Sequence, residues 1–344
     1  MYPAPSVNWL VVMIPETLEK IADFKPNTPL LKLDDSWLEP YDISLYIKRD
    51  DLIDNIISGN KFRKLKYSLS QYESSNYAGI VSFGGPWSNH LHALASLAKL
   101  YKIPLVTIIR GEKPPVLSDM LSDIIEAGAE VHYVSRVDYK DCRDALERGN
   151  LKQHSLIKQW KNYLVIPEGG ATNNALAGVA EILTENDQVF DAIYLACGTA
   201  TTLAGLSIGL PNNSVTKIIG IAALKAGNSL EHSVQRLLKE NGVLTSEQKN
   251  WVIDHQFHFG GFAKVKPELL EFMKGLFERT QLITEPVYTG KTLYALYHHI
   301  EEGYFTPGSQ IMMLHSGGLQ GLRGYKDMGI NEMINKSMTL GVTS

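Results

Sequence analysis

Short apolar runs of strand length alternate along the chain with longer segments whose apolar residues recur at helical spacing. Runs at 80–83, 105–109, 130–134, 164–166, 192–196, 218–222 and 311–314 predict strands. Phe62, Leu65 and Leu69 share one face of a helix that starts near Asn60. Leu91, Leu94, Ala95 and Ala98 share one face of another, and a third helix is predicted at about 117–127. Strands and helices in alternation imply an α/β fold, with open, mostly parallel twisted sheets covered by helices. The region 136–161 is polar and charge-rich, but it is helix-prone and contains no clear linker. No internal repeat or low-complexity tract is present. With 344 residues the chain can bury a large core, and two lobes are expected.

Composition narrows the class. Hydrophobic residues make up 44% and charged residues 20%, as in ordinary globular proteins. A net charge of -4 gives no reason to expect a nucleic acid or an anionic membrane as partner. The two cysteines, Cys142 and Cys197, lack metal-ligand spacing, and nothing asks for an oxidising compartment. Cys197 ends an apolar run and is expected to pack as a small hydrophobe. An apolar stretch at 9–14 has no basic leader and is broken by Pro15-Glu16, so no signal peptide is read there. No run approaches transmembrane length, and a cytoplasmic location is expected. His255-x-x-His258 and His298-His299 lack a third ligand at sensible spacing, so no metal is expected.

The chemistry concentrates in a few turns. Ser58-Gly59-Asn60-Lys61-Phe62-Arg63-Lys64-Leu65, after Lys48-Arg49-Asp50-Asp51, puts a lysine at the start of a helix with Asn60 as its expected N-cap. The helix dipole and the cations Arg63 and Lys64 would both disfavour protonation of Lys61. That suits an amine that attacks a carbonyl, although a solvated helix lysine is the plainer reading of Lys61 alone. Gly198-Thr199-Ala200-Thr201-Thr202 links an apolar strand to a helix, which makes either an anion site or a simple tight connection. It is neither a Walker loop nor G-x-G-x-x-G. In Ser82-Phe83-Gly84-Gly85-Pro86-Trp87-Ser88-Asn89-His90, Ser88 and Asn89 read as helix caps or as donors to a substrate carboxylate. His90 either lines a substrate pocket or bonds within its helix. Tyr288, in Glu285-Pro286-Val287-Tyr288-Thr289-Gly290-Lys291, and Ser316, in His315-Ser316-Gly317-Gly318, would each pass alone as a packed aromatic and a turn residue.

Taken in order, these motifs resemble the pyridoxal-phosphate family of D-cysteine desulfhydrase and 1-aminocyclopropane-1-carboxylate deaminase, on the tryptophan-synthase-β type of fold. With Pro167-Glu168-Gly169-Gly170 they cover about residues 30–325. The resemblance implies pyridoxal 5'-phosphate as cofactor, carried on Lys61 as a Schiff base. It places Asn89 beside the cofactor ring near its phenolic oxygen, and Ser88 by the substrate carboxylate, where it would move protons. Gly198, Thr199, Ala200, Thr201 and Thr202 would hold the phosphate. Tyr288 would point at the reacting carbon, with Thr289 and His90 around the substrate. Ser316 would face the pyridine nitrogen, where a neutral hydroxyl makes a weaker electron sink than a carboxylate. Lys64 and Lys291 read as structural or solvated. The resemblance further implies a smaller domain at 67–165 inserted into a larger, cofactor-binding one of 1–66 and 166–344, with the cofactor in the crevice between them, and a homodimer.

Departures from the pattern bear on the substrate. Ring-opening deaminases usually carry Glu where Thr289 stands and Leu where Ser316 stands, which shifts the expectation towards desulfhydration. The family often has a further tyrosine in a Tyr-His-Ala-Gly-x-Tyr-Gly context. Here Phe257-His258-Phe259-Gly260-Gly261-Phe262 lacks that hydroxyl at Phe262. Ala200 replaces a glycine of many relatives, which reads as a tolerated change. The expected function is β-elimination from a small amino acid, D-cysteine, to pyruvate, ammonia and sulfide. The alternatives are deamination of 1-aminocyclopropane-1-carboxylate to 2-oxobutyrate and ammonia, and a non-enzymatic small-ligand binding protein on the same fold.

Overall fold

The computed structural model describes residues 13–54, 57, 59–243 and 250–339, so residues 9–12 of the N-terminal apolar stretch and Ser58 of the lysine turn lie outside the described residues. The first half of the chain runs β1 (Leu30–Lys32), β2 (Ser44–Lys48), α1 (Asn60–Glu73), β3 (Gly79–Gly84), α2 (Asn89–Leu100), β4 (Leu105–Arg110), α3 (Asp119–Glu126), β5 (Glu130–Val134) and α4 (Arg136–Glu147). Then come β6 (Tyr163–Ile166), α5 (Asn173–Ala180), β7 (Ala192–Cys197), α6 (Thr201–Gly209), β8 (Lys217–Ala222) and α7 (Ser229–Glu240). β9 (Trp251–Asp254), α8 (Pro267–Thr280), α9 (Thr289–Glu301), β10 (Gln310–Leu314) and α10 (Asn331–Thr339) complete it.

Two sheets result. A four-stranded sheet has the order β5-β4-β3-β6, parallel throughout. A six-stranded sheet has the order β1-β2-β10-β7-β8-β9, and only its β1–β2 pair is antiparallel. The chain thus starts the larger sheet, leaves it to build the smaller one, and returns. Parallel neighbours need long crossovers, and helices supply them. Alternation along β7 shows how both faces are covered: Ala192 and Tyr194 enter one core, Ile193, Leu195 and Cys197 the other. β3 is buried at every position, which explains its unbroken apolar reading in the sequence.

The seven predicted strands are all present, but β1, β2 and β9 were not predicted. β1 and β9 are short edge strands. β2 merges into Lys48-Arg49-Asp50-Asp51, whose charge hides the strand pattern. Lys48, Asp50 and Asp51 are buried rather than solvated. Arg63 on α1 bonds Asp50 at 2.7 Å and Glu185 at 2.7 Å, and Lys48 Nζ reaches Glu185 at 2.6 Å. Burial opposes the charge of Arg63, but Asp50 and then Glu185 outweigh it and push its pKa up. Such a cluster orients α1 against the C-terminal end of β2 and gives little net stability, because desolvation offsets much of the attraction.

Among the described residues no helix is long and apolar enough to cross a membrane.

Candidate active site

The lysine turn is built on a close approach. Gly59 has φ +80°, and a Cβ there would collide with the carbonyl of Ser316. Gly59, not the expected Asn60, is the N-cap of α1, and among the described residues no side chain caps this helix. Asn60 is a linking residue instead. Its Nδ2 donates to Thr202 Oγ1 at 3.0 Å, and its Oδ1 accepts from Lys61 Nζ at 2.7 Å. Its backbone N–H donates to Ser316 O at 3.3 Å. One residue therefore ties Lys61 to both the small-residue turn and the C-terminal turn.

Lys61 is half-buried. Burial lowers its pKa to about 8, against an opposing pull from the Glu285 carboxylate. The direction is the expected one and desolvation is its main cause; Arg63, one of the two cations expected to contribute, is turned into the Asp50–Glu185 cluster.

The small-residue turn joins β7 to α6. Ala200 caps α6 in the left-handed region, with φ 59° and ψ -4°, and no side chain caps the helix. This explains why glycine suits that position and what the alanine costs. Thr199 and Thr201 hydroxyls lie 3.1 Å apart, and Thr201 and Thr202 are buried. A Cβ on Gly169 would sit 2.6 Å from Thr199 Cγ2, and one on Gly198 would sit 3.1 Å from the Tyr288 ring. The turn is thus packed on both sides, with Tyr288 beside Gly198.

Lys64 was expected to be structural or solvated. It is buried, its Nζ lies 3.4 Å from Thr199 Oγ1, and among the described residues no carboxylate pairs with it. Burial, then the charge of Lys61, pulls its pKa well down. A buried lysine amine without a carboxylate partner, which an arriving anion would favour in its charged form, next to an uncapped helix start and three threonine hydroxyls, is a donor set that fits a phosphate group. Lys61, a half-buried amine of low pKa, fits the aldehyde of pyridoxal phosphate. The residues present therefore suit this cofactor.

On the other side of the site, Ser88 caps α2, accepting from Leu91 N at 3.2 Å. Asn89 opens the helix, and its Oδ1 accepts from Gln320 Nε2 at 3.3 Å. A Cβ on Gly318 would lie 2.8 Å from Asn89 Nδ2, which places Asn89 against the turn that carries Ser316. His90 is buried, with Nε2 2.8 Å from Ser82 Oγ. Ser82 already donates to Ile166 O, so the network assigns the proton to Nε2 and leaves Nδ1 as a bare acceptor. Burial, then Lys61 and Lys64, lowers the His90 pKa to about 3. His90 is a neutral helix histidine near Gly170 and Lys64.

Tyr288 precedes α9 and is half-buried, and burial and then Glu285 raise its pKa, which keeps the phenol protonated. Its ring meets that of Phe262 edge-on, with centroids 6.0 Å apart. Thr289 is buried, and its hydroxyl bonds Glu285 Oε1 at 3.2 Å rather than standing free. Glu285 accepts from the N–H groups of Val287, Tyr288 and Thr289 at 2.7–2.8 Å and so caps α9. Sequence reasoning passed over Glu285, although a carboxylate just before a helix start is a cap signal. It also passed over Tyr325, whose hydroxyl lies 3.4 Å from Ala263 O. Ser316 is half-buried and touches the lysine turn through its carbonyl.

The histidine pairs are engaged elsewhere. His255 bonds Glu231, and His299 lies between Tyr194 and Asp254. Among the described residues no group of three or more His, Cys, Asp or Glu side chains is placed to hold a metal ion.

Comparison with known proteins agrees with this cofactor. Residues 21–317 match the family model described as pyridoxal-phosphate dependent enzyme. A putative 1-aminocyclopropane-1-carboxylate deaminase of Pyrococcus horikoshii is 30% identical over 289 residues, covering 82% of this chain and 87% of the relative. The mitochondrial bifunctional D-cysteine desulfhydrase/1-aminocyclopropane-1-carboxylate deaminase of Arabidopsis thaliana is 29% identical, covering 87% of this chain and 78% of the relative. A crystal structure of an ACC deaminase homologue superposes with a TM-score of 0.75 at 28% identity, covering 89% of this chain and 93% of that one. The architecture is tryptophan-synthase-β-like and the cofactor is pyridoxal phosphate. The chain belongs to the family of pyridoxal-phosphate dependent enzymes, in its 1-aminocyclopropane-1-carboxylate deaminase and D-cysteine desulfhydrase group.

Proposed function

We propose that the protein is a lyase whose main substrate is D-cysteine: D-cysteine and water give pyruvate, ammonia and hydrogen sulfide. When bound, pyridoxal phosphate supplies the sink for the electron pair left at the α-carbon. Lys61 Nζ attaches the cofactor and, as a free amine, takes the α-proton. Thr199, Thr201, Thr202, the N–H groups from Gly198 through Ala200 to Thr202, and Lys64 hold the phosphate. Asn89 orients the ring, and Ser316 offers its nitrogen a neutral hydroxyl. Ser88 and Asn89, at the start of α2, bind the substrate carboxylate. Tyr288, held as the protonated phenol, gives its proton to the departing sulfur. His90 lines the wall behind Lys64, and Thr289 acts through Glu285. The site is proposed to lie between a smaller domain of 67–165 and a larger one of 1–66 and 166–344.

The observation that carries this choice is the ring packed on Tyr288, which is Phe262 and bears no hydroxyl. One phenol suffices to protonate one thiolate. Opening a strained carbon–carbon bond asks more of the site. The second reading, ring-opening deamination of 1-aminocyclopropane-1-carboxylate, is favoured by the name of the Pyrococcus relative.

Cofactor-loaded protein is incubated with D-cysteine, L-cysteine, β-chloro-D-alanine and the cyclopropane acid, and keto acids and sulfide are measured. Pyruvate is expected from D-cysteine and from the chloro compound, with sulfide from D-cysteine only and little 2-oxobutyrate. Faster turnover of the cyclopropane acid than of D-cysteine would overturn the reading.

A further inference from the structure

Lys291 stands where a lysine is least expected. It lies in the first turn of α9, where the helix dipole disfavours a cation, and only 1% of it is exposed. No carboxylate is within ion-pair distance of it among the described residues. Its Nζ donates instead to three main-chain carbonyls: Ala223 at 3.2 Å, His258 at 2.9 Å and Gly261 at 3.0 Å. An ammonium has three donors, and all three are used.

The carbonyls come from two segments that meet the site. Ala223 follows β8, and its N–H donates to Cys197 O, the residue before the Gly198 turn. His258 and Gly261 belong to the loop that presents Phe262 to Tyr288. This loop is strained: Phe259, Gly260, Gly261 and Ala263 have φ of 53°, 100°, 129° and 54°. Left-handed backbone at non-glycine residues persists only where surrounding contacts impose it. The Tyr325 hydroxyl touches the same loop at Ala263 O. Converging carbonyl oxygens are also the ligands that proteins offer to monovalent cations.

We propose that Lys291 is a positioning residue that serves as a built-in monovalent cation, binding the carbonyls of Ala223, His258 and Gly261 and so holding Phe262 against Tyr288. The role deepens the proposed function, since the Phe262 face would bound the space for the substrate side chain. A lysine tethered in this cage removes any need for a dissolved cation. Lys291→Ala vacates the cage and leaves room for a small cation, whereas Lys291→Met fills the channel with an uncharged chain.

The test uses cofactor-loaded protein in tetramethylammonium buffer, titrated with methylammonium, ammonium or potassium. Two readouts are taken: amide hydrogen exchange at 258–264, and KM against kcat for D-cysteine. Lys291→Ala should exchange faster at 258–264 and show KM raised about tenfold with a smaller change in kcat. Methylammonium or ammonium should restore both saturably, while wild type and Lys291→Met stay indifferent to the cation. Rescue of Lys291→Met to the same degree, or no rescue of folded Lys291→Ala in either readout, would overturn the proposal. So would insolubility of both variants with every cation, because the lysine would then support the whole fold. The exchange arm does not depend on the reaction. If wild type turns over none of the substrates, the functional reading fails and exchange alone decides the role of Lys291.

Discussion

Attachment of the cofactor should report the ionisation of Lys61 directly. Only the neutral amine attacks an aldehyde, and burial brings the Lys61 pKa down from 10.5 to about 8. At pH 7 about a tenth of such a lysine is neutral, against about three parts in ten thousand of an ordinary one, a ratio of about 300. At pH 10 nearly all of it is neutral against about a quarter of the ordinary lysine, a ratio of about 4. Apo-protein and N-acetyl-lysine are mixed with pyridoxal phosphate across pH 6–10, and the two rate constants are compared by visible absorbance. The comparison cancels the ionisation of the cofactor itself. The ratio of rate constants should fall about seventyfold from pH 7 to pH 10, with its midpoint near pH 8. Glu285→Gln should move the midpoint lower still, because the carboxylate is the group that holds the Lys61 pKa up. A ratio that stays constant with pH would falsify the claim that desolvation activates this lysine.

Other variants probe the remaining parts. Lys61→Ala should abolish both the protein-linked cofactor band and turnover; a wild-type spectrum in that variant would remove Lys61 from the site. Lys64→Met should weaken cofactor binding by about 10- to 100-fold, the range for one charge-assisted hydrogen bond, yet leave the melting point of the apo-protein unchanged or raised, because it replaces a buried amine that has no carboxylate partner among the described residues. If apo-protein melting fell instead, Lys64 would have an internal partner. Thr202→Val deletes a phosphate donor and the acceptor of Asn60 Nδ2, and should raise the cofactor dissociation constant about tenfold with kcat little changed at saturation. An unchanged constant on titration would take Thr202 out of the phosphate site. Ala200→Gly relieves a left-handed alanine at about 1 kcal/mol, less the extra chain entropy of glycine, so unfolding in denaturant should shift by 0 to about 1 kcal/mol towards stability. A clear loss of stability would mean that the Ala200 methyl packs for more than its strain.

Much of the fold is legible because buried parallel strands write themselves as unbroken apolar runs. β3, β4, β7, β8 and β10 are of this kind. Of the strands that escaped prediction, β1 and β9 are short edge strands, and β2 carries a residue that serves something else. β2 ends in Lys48, which looks like surface and is instead part of the buried cluster under α1. Charge in sequence suggests solvent, and only the partner, here Glu185 far along the chain, reveals burial. For the same reason the reading of Lys64 and Lys291 stayed open between structural and solvated: both are buried, one beside threonine hydroxyls, the other bonded to carbonyls.

The site residues show where cap and ligand readings part. α2, α3, α4 and α5 each begin with a Ser or Thr whose side chain bonds the first turn. α1 and α6 do not, and their N-termini meet where Asn60 bonds Thr202. A helix start without a cap leaves N–H groups unpaired, and by itself that means only that water can reach them. The start of α6 differs because a buried lysine with no counter-ion among the described residues stands beside it, a combination that is costly unless an anion arrives. Sequence placed a lysine, a threonine-rich turn and a serine turn in the right order. What it lacked was the reason they belong together, which is that Asn60, read as a cap, spends its side chain on joining Lys61 to Thr202 and its backbone on Ser316.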